Sequence, residues 1–438
     1  MVVAGEETSE RDDAEGFLRV AAIDPHERCR PPAEDGPPWE RRLARANRHA
    51  TEQARRRATA AFAGLDLLID ARWGDRPGVH PAPPAFAPEA ALPWLDEVLA
   101  GHHLPPERLL VAGTTATPFD VTDLGFGVAR PPATATADVV AAGGAVVVRA
   151  VEVGHPALTD LLADLDRLTG QPARVDAGLV GTGTGWEAGA DDVARAVAPL
   201  DHEVLVTTVV PPGPGAGERL ELPTQHRVGP GEVVTVPAGR STTVVGADRP
   251  AAVLVVAVPR LSAYALSRAL VADAVYWPAL RADVPVDRRH PHDSYAGSVF
   301  DRPDGLAQAV QDALAGPAMA EGVVARFRAA VPPRPRASLL ASIAVGIREP
   351  AADARLRSIV TGGFAVAERA GEAGAHLVAG GRRIDADPAS ALALAIVADG
   401  EVHRLDDLAE AVPEGYGTDW CRDAATGLLS TGLVELVS

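Results

Sequence analysis

Side chains that could bind a metal or move protons are concentrated between Glu187 and His226. Glu187, Asp191, Asp192, His202, Glu203 and His226 are donor types that suit a divalent first-row metal. In a β-structured stretch, alternation sends sequence neighbours to opposite faces, so these six need not converge. A metal site that uses Asp191, Asp192 and His226 stays open beside a solvated-surface reading. His290-Pro-His292-Asp293 has two histidines two positions apart in a Pro-rich loop, a spacing that also fits helix capping or exposure. His102-His103 lies between a helix and a Pro-Pro turn and is expected in solvent. Gly181-Thr-Gly-Thr-Gly185 lacks both the Gly-x-Gly-x-x-Gly spacing and a P-loop lysine, so it reads as a loop and not a phosphate cradle. Cys29 and Cys421 are too far apart in sequence for a metal-ligand spacing and make no disulfide framework.

The elements that must position these donors are short strands. Gly229 to Thr242 reads as strand, turn, strand: Val233, Val234 and Val236 are β-branched, Pro237-Ala-Gly239 turns the chain, and Thr243-Val-Val245 resumes. Ala251 to Val258 supplies a further strand, and residues 174–180, 185–197 and 203–210 supply more upstream. Several short strands with turn signals between them predict a small antiparallel barrel or jelly roll across roughly 108–258.

At 438 residues the chain has room for two or three domains. Its 41 basic residues are all arginine and its one asparagine is Asn47, the usage of a GC-rich coding sequence, so the arginine count says little about function. A net charge of −18 argues against generic attraction to phosphate backbones. No apolar run has the length of a membrane span and no signal-peptide pattern opens the chain, so a soluble cytoplasmic protein is expected.

Residues 1–37 are acidic and Pro-rich and read as a mobile tail or loosely docked arm. A helix is expected from Trp39 to about Gly64, with the arginines at 55–57 on a solvated face. Residues 155–168 form a leucine-periodic helix ended by Gly170. Helices are expected at 263–272, 307–315 and 321–330, and the Pro-rich stretch 332–335 marks a boundary. The organisation is therefore a tail (1–37), a barrel domain with N-terminal helices (38–260), a helical region (261–337) and a C-terminal domain (338–438). In the last, a hairpin near 376–384 and three helices suggest a winged-helix-like module. Asp406, Asp407 and Glu410 on its second helix argue against DNA binding.

The spacing Gly231, five residues, Pro237-Ala-Gly239-Arg240-Ser-Thr242 resembles the second conserved motif of the cupin superfamily. Trp73-Gly-Asp-Arg76-Pro77, then a helix and a strand, then Gly143-Gly-Ala-Val-Val-Val-Arg149 and His155-Pro-Ala-Leu158, resembles the JmjC-type ribosomal oxygenases of that superfamily. The resemblance covers roughly residues 65–438. It implies an α+β fold: a double-stranded β-helix, a helical dimerisation region and the winged-helix-like end. It also implies Fe(II) and 2-oxoglutarate, with a His-x-Asp and a late His as metal ligands. Anchored on Asp192-Val193, the matching positions are Glu187, Gly189 and Thr242, and the 2-oxoglutarate position falls at His202. One strong donor of three leaves the triad degenerate, so no catalytic residue, no metal and no cofactor are expected. The reading is a homodimeric protein that has lost the family chemistry and binds a peptide or protein partner. The alternative is an active hydroxylase with a non-standard ligand set.

Overall fold

The computed structural model describes residues 18–23, 28–72, 74–101, 109–112, 133–151, 155–211, 222–274, 317–335, 350, 353–367, 375–411 and 418–437. Residues 1–17, Trp73, His102, His103, His290, His292 and the helix expected at 307–315 lie outside them. The chain forms two compact units, Thr51–Ala315 and a second made of Met1–Ala50 with Gly316–Ser438.

In chain order the second unit begins with β1 (Leu18–Ala22) and β2 (Cys29–Arg30), followed by α1 (Pro38–Ala61). The Thr51–Ala315 unit then holds α2 (Leu65–Ile69), β3 (Gly78–Pro81), α3 (Pro88–Gly101), β4 (Leu109–Ala112), α4 (Ala133–Ala141), β5 (Ala145–Val148) and α5 (Pro156–Thr169). Eight strands follow: β6 (Arg174–Val180), β7 (Trp186–Ala188), β8 (Val193–Pro199), β9 (Val204–Val209), β10 (Thr224–Val228), β11 (Glu232–Val236), β12 (Ser241–Gly246) and β13 (Ala251–Pro259), before α6 (Ala263–Ala274).

These strands make two antiparallel sheets, a large one ordered β3-β11-β8-β13-β6-β5-β4 and a small one ordered β10-β9-β12-β7. The sheets share one apolar core: Val147, Val180, Val197, Val234, Val253 and Val255 of the large sheet meet Trp186, Val204, Val206, Val228 and Val244 of the small one. The antiparallel mixed helix-and-sheet architecture agrees with the expected class. The stretch 185–197, expected as one strand, is two strands in different sheets. The Asp191 carboxylate accepts the Val193 N–H at 3.2 Å and makes the turn between them.

The outer face of the large sheet packs against helices. Leu158, Leu161, Leu162 and Leu165 of α5 recur at helical spacing and meet Val175, Ala177, Leu254 and Val256. Each such leucine, once buried, contributes about 1.5–3 kcal/mol. Nδ1 of His155 caps the start of α5 by accepting from the Leu158 N–H at 3.3 Å, and left-handed Gly170 ends the helix as expected. The arginines at the end of α1 are paired: Arg55 with Asp70 and Arg57 with Asp164.

The second unit continues with the helix Pro317–Ala329, then β14 (Arg355–Ser358), β15 (Ala365–Ala367), β16 (Ala375–Ala379) and β17 (Arg382–Ala386). After the helix Pro388–Val397 come β18 (His403–Arg404), the helices Leu405–Ala411 and Thr418–Ser430, and β19 (Val434–Val437). The expected hairpin is β16–β17. Residues 18–22 and 29–30, expected in a mobile tail or loosely docked arm, are strands: β1 pairs with β17 and β2 with β15 in a sheet ordered β1-β17-β16-β15-β2. Among the described residues no helix is long and apolar enough to cross a membrane.

Candidate functional site

The inner face of the small sheet is set by alternation. On β9 and β12 the buried positions are Val204, Val206 and Thr208, and Thr242, Val244 and Gly246. Thr242 pairs directly with Thr208 on one side and with Ala188 on the other, so Thr208, Thr242 and Ala188 form one inward row. His226 shares the face of Val228 on β10 and sits opposite Val206, one row deeper. Thr208 and Thr242 are 0% and 1% exposed. Neither hydroxyl has a hydrogen-bond partner, and Nε2 of His226 is likewise buried without one. Three orphan polar atoms on neighbouring strands are an unusual expense, because buried hydroxyls are normally satisfied.

Charged groups surround the same end. Arg240 precedes β12 and is buried; its Nε donates to the Asp75 carbonyl at 2.8 Å and its Nη2 to the Gly74 carbonyl at 2.8 Å. Burial, and secondarily the Arg240 guanidinium, push the His226 imidazole below its ordinary range. Arg195, on the inner face of β8, is 5% exposed and donates from Nη2 to both Asp191 oxygens at 2.8 and 2.7 Å. The turn before β12 is tied to this pair through the Gly239 N–H and the Asp191 carbonyl, 2.9 Å apart. On β6, Asp176 shares the inner face with Val180 and is 2% exposed. It accepts from the Ala150 N–H and from Arg174, and burial drives its carboxyl above the usual range. Ala150 has φ 54, a strained left-handed backbone held in part by that bond.

The positions read from the sequence do not all meet here. Thr242 faces inward, but Glu187 pairs with Thr243 on the exposed face, one residue out of step, and Ala188 takes the inward place. Gly189 is exposed, with nothing within 4 Å of a would-be Cβ. His202 lies in the β8–β9 turn, with Nδ1 2.6 Å from the Asp201 carbonyl. That turn is at the far end of the small sheet, where Val204 pairs with Gly246 and Val228. About 13 Å of strand separates Val204, where that turn ends, from Thr208. Asp191 is engaged by Arg195, and the Asp192 carbonyl accepts from the Arg260 N–H. Thr208, Arg195, Arg240 and Asp176 were not singled out from the sequence. A single polar residue at an inward position of an apolar strand, such as Asp176 in Arg-Val-Asp-Ala-Gly-Leu-Val, is the signal that could have found them.

An open Fe(II) site needs about three strong protein donors. Here the inward positions offer a neutral hydroxyl at Thr242 and no donor at Ala188, while Glu187 points away. Among the described residues no group of three His, Cys, Asp or Glu could hold a metal ion together. The residues at these positions do not fit a facial triad.

The class this geometry defines is a pair of facing antiparallel sheets flanked by helices, with buried polar side chains toward one end of the small sheet. No protein-family model matches the chain, and no curated protein does. Among solved structures, an X-ray structure of YcfD from E. coli is similar: 16% identity, 85% of this chain and 98% of that one covered, TM-score 0.48. So is YcfD, described as a ribosomal oxygenase from Escherichia coli, in complex with cobalt and succinic acid, at 16% identity, 86% and 99% coverage and TM-score 0.47. The complex of YcfD with cobalt and 2-oxoglutarate matches at 17% identity, 86% and 99% coverage and TM-score 0.47. These two complexes correct the expectation that no cofactor is involved: structures similar to this chain bind cobalt with succinic acid or 2-oxoglutarate.

Proposed function

We propose that this chain is a JmjC/cupin-type protein whose double-stranded β-helix receives a peptide or protein partner at its open end. The observation that carries the reading is the set of unpartnered, buried polar atoms on Thr208, Thr242 and His226. Hydroxyl and imidazole groups of this kind fix the orientation of a polar ligand in a largely apolar pocket. Exposed Thr224, in register with Thr208, extends the row to the surface. A photo-crosslinking residue at 224 tests the reading in cells. A discrete polypeptide adduct that the Thr208→Val/Thr242→Val double variant weakens supports it; background labelling alone rejects it.

A second reading, a protein hydroxylase using Fe(II), 2-oxoglutarate and non-standard ligands, is favoured by the buried, unbonded Nε2 of His226. It predicts 2-oxoglutarate decarboxylation by anaerobically loaded protein once oxygen is admitted, abolished by His226→Ala. The proposal further includes a homodimer through residues 261–337, which light scattering tests, and a winged-helix-like module at 338–438 in a cytoplasmic protein.

A further inference from the structure

The first half of α1 buries Trp39, Leu43, Ala46 and Ala50 at helical spacing and leaves Arg42, Arg45 and His49 on the adjoining exposed strip. A pocket of about 350 Å³ opens between that strip and the end of the helix Pro388–Val397. Its lining is Arg42, Arg45 and His49 on one side and Asp399 on the other, over Ala46, Ala395 and Ile396. The floor is apolar and buried.

The charges around it are unequally satisfied. Asp399 accepts from the Glu401 N–H at 3.0 Å and lies 2.8 Å from Nε2 of His403. Burial opposes its ionisation, but these bonds and nearby His49 hold its carboxyl below the ordinary range. Its charge is therefore consumed within the fold. Arg42 makes no hydrogen bond or ion pair among the described residues, and Arg45 donates only from Nε, to the Arg41 carbonyl. Two guanidinium groups three residues apart thus face a pocket whose one carboxylate, Asp399, is engaged elsewhere. Guanidinium pairs recognise carboxylates through paired N–H donors. The opposite wall is the last turn of a helix, where the Val397 carbonyl accepts the Gly400 N–H at 3.3 Å and the carbonyl end of the helix dipole attracts N–H donors. An anion with no N–H satisfies one wall only. A peptide satisfies both.

We propose that this pocket docks an acidic peptide segment of a partner protein, with one Glu or Asp carboxylate between Arg42 and Arg45. The segment's backbone N–H meets the helix end, and an aliphatic neighbour covers Ala46 and Ile396. The site is separate from the strands around Thr242 and does not depend on their role.

A fluorescein-labelled octapeptide of alternating Glu and Leu, titrated into the full chain and read by polarisation, tests it. Saturable binding with Kd on the order of 10–100 µM is expected, weakening as salt is raised. Arg42→Glu/Arg45→Glu should weaken it at least tenfold, and Arg42→Gln/Arg45→Gln by a smaller factor. Both arginines are exposed, so circular dichroism should show both variants folded. Thr208→Val/Thr242→Val should leave this binding unchanged, which separates its failure from that of the reading at the open end. Equal binding of the Gln–Leu peptide, unchanged binding by the charge-reversed variant, or full displacement by millimolar inorganic phosphate would each overturn the proposal.

Discussion

Thr208 and Thr242 each keep a hydroxyl in a place where valine would fill the same volume. An unsatisfied buried hydroxyl costs more than its absence, so Thr208→Val and Thr242→Val should each raise stability, by about 1 kcal/mol, in urea unfolding. A loss of stability of that size would show that the hydroxyl is bonded in the folded protein. A hydroxyl kept at a cost to stability is what a ligand contact requires, and the same variants should weaken partner binding. His226 gives the site a pH dependence. Its folded pKa lies below the ordinary 6.5, as does that of His155, chiefly through burial. The unfolded chain then binds more protons than the folded one as pH falls below about 6.5, so stability is full above that value and is lost between it and the lower folded values. Urea midpoints between pH 5 and 8 should show this fall, and His226→Gln should reduce it, leaving the share of His155.

At the scale of strands, the local pattern was legible and the register was not. Valine-rich runs and the Pro237-Ala-Gly239 turn marked β11, β12 and β13; Thr242, matched to the late His position by its spacing from Gly231, lies on the inner face of β12. Glu187 was carried across by counting from Asp192, but the four residues 189–192 form a turn between sheets, which counting cannot reveal. A period of two makes a single-residue slip exchange inside for outside. The join between β7 and β12 depends on Gly185, whose φ is 60 and whose would-be Cβ lies 2.1 Å from the Val244 carbonyl. Gly185→Ala must push β7 away from β12. A loss of at least about 2 kcal/mol is expected, visible as a lowered thermal midpoint; an unchanged midpoint would contradict the pairing.

For the whole chain, the least legible feature was that its two ends build one unit. The pairing of residues 18–22 with 382–386 leaves no periodic trace in either stretch, since hydrophobic pattern reports which face is buried and not against what. The core of this unit joins Trp39, Leu43 and Ala46 to Leu356, Phe364, Leu377, Ile384 and Leu394. Asn47, the one asparagine of the chain, fixes the arrangement: its Nδ2 donates to the Phe364 carbonyl at 2.9 Å and its Oδ1 accepts the Phe364 N–H at 3.2 Å. Asn47→Ala strands both backbone groups and should cost about 2 kcal/mol. The stronger consequence concerns fragments. Residues 316–438 alone would lack β1 and β2, baring both edges of the sheet, and would open the core where Trp39 and Leu43 sit. Expressed alone, that fragment should aggregate or unfold without cooperativity. Co-expression with residues 18–61 should restore a soluble complex with a sharp thermal transition, and Asn47→Ala in the shorter piece should weaken the association. A cooperative, soluble 316–438 fragment with the thermal midpoint of the same unit in the full chain would show that the N-terminal strands and helix decorate this unit and do not complete it.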